Sequence, residues 1–312
     1  MHVDNCQVGV FAAYASRAGR ALVDREPYLP KSWTGDEQRR AGAGVPQARR
    51  FLTKPEFAVR MVTRILARDA PIRWVAADEA YGQDAKFRAA CLHRNVGYVA
   101  AVPRSQYVPT TRVGTRRIET LAAQAPREAW LRISAGDGAK GPRVYDWATA
   151  RIGAWWDEER RIGHWVLIRR SLANPAELAF YLCAGPADTL IEELVRVAGA
   201  RWAIEECFQV AKMHTSLDHY EMRSYTGWYK HITLAMLAHA FLVALAAAKG
   251  APENTISNTH HSPWARSDGS WQLSPTRRPP AASGIAIYCT GQPGADATKP
   301  PPNDATTSDD AS

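Results

Sequence analysis

The chain has 312 residues, 46% of them hydrophobic, which is enough for one or two packed cores. Residues 251–312 hold six acids and four bases, so residues 1–250 carry a net charge of +10, which favours a polyanionic partner. The cysteines are far apart and form no C-x-x-C motif, which argues against a zinc site and favours reduced thiols in the cytoplasm; they are Cys6, Cys91, Cys183, Cys207 and Cys289.

Two apolar stretches are interpreted as parts of a folded domain, without a membrane partner. Residues 8–15 end like a signal-peptide cleavage site, but Asp4 and the lack of Lys or Arg before them argue against export. Residues 232–248 are only 17 long and contain Thr233 and His239, which favours a buried core helix.

The first 103 residues alternate between strands and helices. The predicted elements are a strand hairpin over 6–15 and 20–29, a loop over 30–50, a helix after the capping box at 53–56, a buried strand over 72–77, a helix over 84–95 and a strand over 98–102. Asp78 follows the buried strand, at the end where open α/β sheets place functional sites. Glu79 and Asp84 are interpreted as turn and cap residues.

The remaining chain divides into three parts. Residues 104–185 contain short β-prone runs and predict an all-β insertion, and residues 186–250 predict helices. The first of these helices is expected to break near Gly199. Residues 251–312 hold nine of the 20 prolines among small polar residues, and a disordered tail is predicted.

Residues 201–212 predict a helix with an unusual polar face. Arg201, Glu205 and Lys212 are four and seven residues apart and share one face, whereas Glu206 lies on the other flank. A carboxylate between two cations suits ions or phosphate. The alternative is a simple surface salt bridge between Arg201 and Glu205.

These residues resemble bacterial insertion-sequence transposases of the DDE superfamily. The likeness rests on the R-x3-E-x6-K spacing of Arg201, Glu205 and Lys212, on the segment V-A-A-D-E-A-Y-G around Asp78, on residues 134–143 and on L-D-H-Y at 217–220. It runs from about residue 5 to residue 249. It implies an RNase H-like mixed sheet with flanking helices, interrupted by the β insertion between the second and third acids.

The sequence departs from that family in three places. Ala198 stands where the family has a tyrosine, and the tail after Gly250 does not resemble the family's C-terminus. In the family, the first acid lies on a strand that precedes the hairpin in the sequence. In the sheet, that strand lies between the hairpin and the strand of Asp78. Asp4 does not match the position of this acid. We therefore expect an N-terminally truncated chain that lacks this strand, with open edges beside it.

By the resemblance, Asp78 and Glu205 are two of three ligands for Mg²⁺ or Mn²⁺, and Arg201 and Lys212 face DNA phosphates. Asp78 has the alternative role of capping the following turn. Basic and aromatic residues near the last helix suggest more DNA contacts, with packing as the alternative for Tyr220 and Trp228; the proposed contacts are Tyr220, Arg223, Lys230 and His231.

Two functions follow from the resemblance. The first is a metal-dependent transposase that cleaves and transfers strands of double-stranded DNA, here a truncated and inactive copy in the cytoplasm at the nucleoid. The second is a non-catalytic fragment that binds DNA or an intact transposase and inhibits it. In either case we expect Asp78 and Glu205 to lie together, Glu206 to point elsewhere, and association with itself or with an intact transposase.

Overall fold

A computed structural model describes residues 7–16, 18–109, 114–138, 141–155, 157–221, 223–249 and 284–290. The described strands are β1 (Val8–Ser16), β2 (Gly19–Tyr28), β3 (Trp74–Ala77), β4 (Gly97–Val102), β5 (Tyr107–Pro109), β6 (Thr115–Arg117), β7 (Leu131–Gly138), β8 (Gly141–Arg151), β9 (Ile162–Arg170), β10 (Leu178–Pro186) and β11 (Gly284–Thr290). The described helices are α1 (Lys31–Thr34), α2 (Glu37–Gly42), α3 (Lys54–Leu66), α4 (Glu79–Gly82), α5 (Ala85–His93), α6 (Ile118–Ala123), α7 (Ile191–Thr215) and α8 (Tyr225–Ala248).

The strands and helices predicted for residues 1–103 form as expected, whereas the predicted loop does not. β1 and β2 are an antiparallel hairpin, and Thr53 and Glu56 make the reciprocal capping box that starts α3. The apolar side of α3 is buried against the sheet. Residues 30–50 were predicted as loop, but they contain α1 and α2, of four and six residues. These helices bury no residue, so apolar periodicity gives no signal for them.

One mixed sheet joins the core and the insertion. Its strand order is β2-β1-β11-β3-β4-β10-β9-β8-β7, in which β11, β3 and β4 are parallel and the other neighbours are antiparallel. The insertion is β-rich as predicted, with the short helix α6 and the separate β5–β6 ribbon in addition.

Helices cover both faces of the sheet. One apolar cluster contains the buried residues of α3 and α5, and the other contains those of α7 and α8. Successive residues of β1 and β3 alternate between the two clusters, as the period of a strand requires. The fold is therefore mixed α/β and RNase H-like, as predicted.

The predicted helix break at Gly199 is wrong, because α7 is continuous from Ile191 to Thr215. A Cβ on Gly199 would overlap the carbonyl oxygen of Ala135 in β7. The glycine permits a close approach of helix and strand, a role that the sequence pattern alone does not distinguish from a helix stop.

The tail contains an element that composition did not predict. Gly284–Thr290 is strand β11, so the prediction of disorder is wrong for these seven residues; 251–283 and 291–312 lie outside the described residues, as do Asp4 and Cys6. β11 lies between β1 and β3, where the resemblance implied a missing strand. The expected open edges of β1 and β3 are therefore filled.

α8 is buried on one side only. Trp228, Ile232 and Met236 are buried, whereas Leu234, Leu237 and Phe241 are each more than 60% exposed, so the prediction of a buried core helix holds for one face. Within the described part of the chain, α8 is the one helix that is long and apolar enough to cross a membrane, by length and composition alone.

Candidate functional site

Asp78 lies at the carboxyl end of β3, as the sequence predicts. The strand before it is fully buried, and the Asp78 carboxylate accepts a hydrogen bond of 3.0 Å from the backbone N–H of Ala80, which caps α4. A Cβ on Gly82 would overlap the carbonyl oxygen of Ala101, so this glycine lets α4 lie directly on β4. Asp78 therefore caps α4, which is the alternative role that the sequence indicated.

Burial raises the pKa of the Asp78 carboxyl above its ordinary value of 3.8. Hydrogen bonds from the backbone of Ala80 and Tyr81, and the nearby charges of Arg201 and Lys54, act in the opposite direction but do not cancel the effect of burial. An acid that loses hydration and is kept near two cations is typical of a functional site.

The raised pKa of Asp78 predicts that Asp78→Asn stabilises the protein at pH 7. Between pH 3.8 and the higher pKa of the folded state, the folded protein binds more protons than the unfolded chain, so ionisation of Asp78 lowers stability as the pH rises. Asparagine keeps the cap without the charge. We expect a higher melting temperature for the variant at pH 7 and little difference at pH 3.

The matched control is Asp84→Asn, because the Asp84 carboxylate also caps a helix through the N–H of Phe87. A melting temperature of Asp78→Asn that is below that of the unaltered protein at pH 7 would contradict the prediction.

Arg201 of α7 pairs with Glu205, and its charge also acts on Asp78. Its guanidinium pairs with the Glu205 carboxylate at 3.3 Å and lies close enough to Asp78 to lower the pKa of that carboxyl. Glu205 is about half-exposed, whereas Arg201 is largely buried. The fold thus brings the Arg201–Glu205 pair within electrostatic range of the carboxyl end of β3, and the predicted surface salt bridge is present.

Glu206 lies on the other flank of α7, as predicted. Its carboxylate accepts hydrogen bonds from Arg20 of β2 and, at 2.8 Å, from Arg143 of β8. Both arginines are about three-quarters buried, so Glu206 fastens α7 to the hairpin and to the insertion.

A group of arginines and aromatic rings beside Arg201 was not predicted. Tyr145 of β8 stacks on Trp202 of α7, with ring centroids 5.9 Å apart and planes 17° from parallel. Arg143 and Arg169 lie over these rings. Burial raises the pKa of Tyr181, and the charges of Arg169 and Arg201 oppose that rise without cancelling it. These residues come from separate elements, so no local spacing could have indicated the group.

The other predicted DNA contacts lie around the C-terminal end of α7 and the start of α8. Lys212 is half-exposed, with its ammonium 3.9 Å from Asp218. The Tyr220 ring packs on the ring of His231 with centroids 5.4 Å apart, and His231 contacts the Ser216 carbonyl. Arg223 and Lys230 are exposed, while Trp228 packs on Phe11, which agrees with the packing alternative for Trp228.

Within the described residues, no group of three or more His, Cys, Asp or Glu side chains comes together. Two carboxylates suit one hydrated Mg²⁺ or Mn²⁺ that also binds a phosphate, but two ions side by side need further oxygen ligands.

Residues 2–133 match the family described as DDE superfamily endonuclease. This part of the chain is similar to that superfamily. The match spans less than half of the chain; it includes Asp78 and ends before α7. No curated protein matches the chain. The resemblance to DDE transposases is thus confirmed, and the domain is transposase-like and nuclease-like, which implies DNA as the substrate of the family.

Proposed function

We propose that this DDE domain binds double-stranded DNA through phosphates along α7 and does not cleave the DNA by itself. The observation that carries the proposal is the ion pair of Arg201 with Glu205, on a helix whose exposed face continues to Lys212 and with Arg201 near enough to Asp78 for its charge to act on that carboxyl. The excess of basic residues in 1–250 supports a polyanionic partner.

Phosphate binding follows from the chemistry of Arg201. A guanidinium presents a planar fork of donors that fits phosphate oxygens, and its bond to the half-exposed Glu205 is exchangeable for one to DNA. Lys212 lies eleven residues further along the same helix, which is about 16 Å at 1.5 Å per residue. The two cations therefore reach different phosphates of one duplex. Arg223, Lys230, His231 and Tyr220 extend this surface.

A divalent cation would be held by Asp78 and Glu205. Mg²⁺ or Mn²⁺ would neutralise charge on a bound phosphate and activate oxygen for attack when enough ligands fix its geometry. In this chain Asp78 supplies a half-buried carboxylate and Glu205 an exposed one, and Arg201 competes with a cation for Glu205. We therefore expect the pair to support DNA binding without strand cleavage or strand transfer.

A domain that occupies DNA without cutting it competes with an intact transposase for the same sites in the cytoplasm at the nucleoid. Inhibition of such an enzyme, by occupying its DNA or by pairing with it, is the biological consequence of this proposal. Inhibition depends on the DNA-binding surface along α7, so the variants that test DNA binding also test inhibition.

The salt dependence of DNA binding is the first prediction of this proposal. Each neutralised phosphate contributes about −0.9 to the slope of log K against log salt. We expect Arg201→Ala/Lys212→Ala to weaken binding and to reduce that slope by about two. Fluorescence anisotropy with a short labelled duplex, over a range of salt concentrations, measures both effects.

The control removes the same charge from the opposite face of the sheet. Arg60 and Arg68 are exposed near α3, which belongs to the other apolar cluster, so Arg60→Ala/Arg68→Ala should leave the slope nearly unchanged. Equal effects of the two double variants would place the DNA elsewhere. Nicking of a supercoiled plasmid with Mg²⁺ that is lost in Asp78→Asn would contradict the absence of cleavage.

A further inference from the structure

Strand β11 is paired on both sides. It is antiparallel to β1 over seven residue pairs, from Gly9–Thr290 to Ala15–Gly284, and parallel to β3 over four, from Trp74–Gly284 to Ala77–Ile287. Both hydrogen-bonding edges of β11 are therefore used. It is an interior strand of the sheet, although it follows every other described element in the sequence.

The two strands beside β11, β1 and β3, are too apolar to be exposed to solvent if β11 is absent. Residues 10–13 of β1 and 74–77 of β3 are at most 3% exposed, with apolar clusters on both faces. Helix α7 packs across β1, β11 and β3. An empty position would leave backbone N–H and C=O groups of two central strands without partners next to apolar side chains, which is strongly unfavourable.

The composition around β11 suits a buried strand. Residues 279–295 contain no charged side chain, unlike the rest of the tail, and 285–289 read I-A-I-Y-C between Gly284 and Gly291. A short apolar run bounded by glycine and proline is typical of a strand covered on both faces. The seven residues of β11, Gly284–Thr290, contain no Asp or Glu.

We propose that Gly284–Thr290 is an intramolecular closing strand. The chain completes its own sheet by inserting this segment between β1 and β3, and the fold depends on it. Because the strand carries no carboxylate, it completes the sheet without adding an acidic metal ligand. This inference rests on strand pairing and is independent of the proposed DNA binding.

The linker permits this arrangement in one molecule. Thirty-four residues separate Lys249 from Gly284, and the entropy of closing a loop grows only slowly with its length. The tethered strand has a high effective concentration at its own sheet compared with the same strand of another molecule. We therefore expect the closed form in a monomer.

The first test is Ala286→Pro in the full chain. Ala286 lies opposite both Ala13 and Ala76, and proline removes the N–H at this central position. We expect the urea midpoint to fall by on the order of 1 M, or the cooperative transition to be lost. Ala295→Pro, the same change five residues after the strand, should unfold like the unaltered protein. Unchanged unfolding of Ala286→Pro would overturn the proposal.

A second test does not depend on destabilising the fold. Val10 lies directly opposite Cys289, a spacing close to that needed for a disulfide, so Val10→Cys should link to Cys289 under mild oxidation. Ala12→Cys is the control, because it lies opposite Ile287, two residues out of register. Both variants also carry Cys6→Ser.

Peptide mapping of the monomeric fraction identifies the linked residues. We expect a 10–289 link in most of the Val10→Cys monomer and none to Cys289 in Ala12→Cys. No link, or equal links in both variants, would overturn the strand register. A link found only between two molecules would overturn the intramolecular arrangement.

Discussion

Gly199→Ala is expected to destabilise the protein by about 2–3 kcal/mol, in the upper part of the usual range for overpacking. Alanine is a better helix former than glycine by about 1 kcal/mol, so helix propensity alone predicts the opposite sign. The clash decides the outcome, because the added Cβ would overlap the carbonyl oxygen of Ala135 and backbone cannot turn aside like a flexible side chain. Urea unfolding of the variant measures the loss.

Gly42→Ala provides the matched control. Gly42 is also helical, but outside its own helix backbone and chain neighbours no described atom lies within 4 Å of a Cβ built at this position. We expect its stability to be unchanged or slightly increased. If Gly199→Ala were equally harmless, the close contact between α7 and β7 would be wrong, and with it the way the insertion positions the helix of Arg201 and Glu205.

The sequence was sufficient for elements whose signals are local. The capping box at Thr53 and the apolar spacing after it defined α3, and the buried run before Asp78 defined β3. The position of Asp78 was predictable for the same reason, since a strand end is a local feature. The spacing of Arg201 and Glu205 predicted their ion pair.

The tail shows how averaging hides a local signal. Over 62 residues the composition is typical of disorder, yet the uncharged segment 279–295 within it contains a short apolar run of the kind that forms interior strands. Its partners, β1 and β3, are about 200 residues or more away in the sequence. Only the three-dimensional pairing indicates why this segment is ordered.

The arginine and aromatic group was unpredictable for a different reason. Tyr145, Arg169 and Trp202 lie on β8, β9 and α7, and their contact depends on how the insertion packs on the helix. Gly199 sets that packing through its contact with β7. A residue that the sequence suggested as a helix stop therefore lets α7, the helix of Arg201, approach the insertion closely.

Trp74 connects the strand of Asp78 to the helix of Glu205. Its side chain is 2% exposed, and its indole N–H donates a hydrogen bond of 2.8 Å to the carboxylate of Glu193 in α7. We expect Trp74→Ala to destabilise the protein by about 3–5 kcal/mol, because it leaves a large cavity and removes the donor to Glu193.

A double-mutant cycle with Gly185 tests this packing directly. A Cβ on Gly185 of β10 would lie 2.9 Å from Cζ3 of the Trp74 ring and closer still to the ring edge. Gly185→Ala alone should therefore cost about 1–3 kcal/mol. In a Trp74→Leu background the ring is gone, so the added methyl group should be neutral or should restore stability by filling space.

The coupling energy between Trp74 and Gly185 shows whether the two residues are in contact. We expect at least about 1 kcal/mol from urea unfolding of the four proteins, since residues in direct contact are not additive. Gly97 is less suitable than Gly185, because a Cβ there would also meet the Ala184 carbonyl oxygen at 3.0 Å. An equal cost of Gly185→Ala in both backgrounds would mean that Trp74 does not fill the space between β3 and β10.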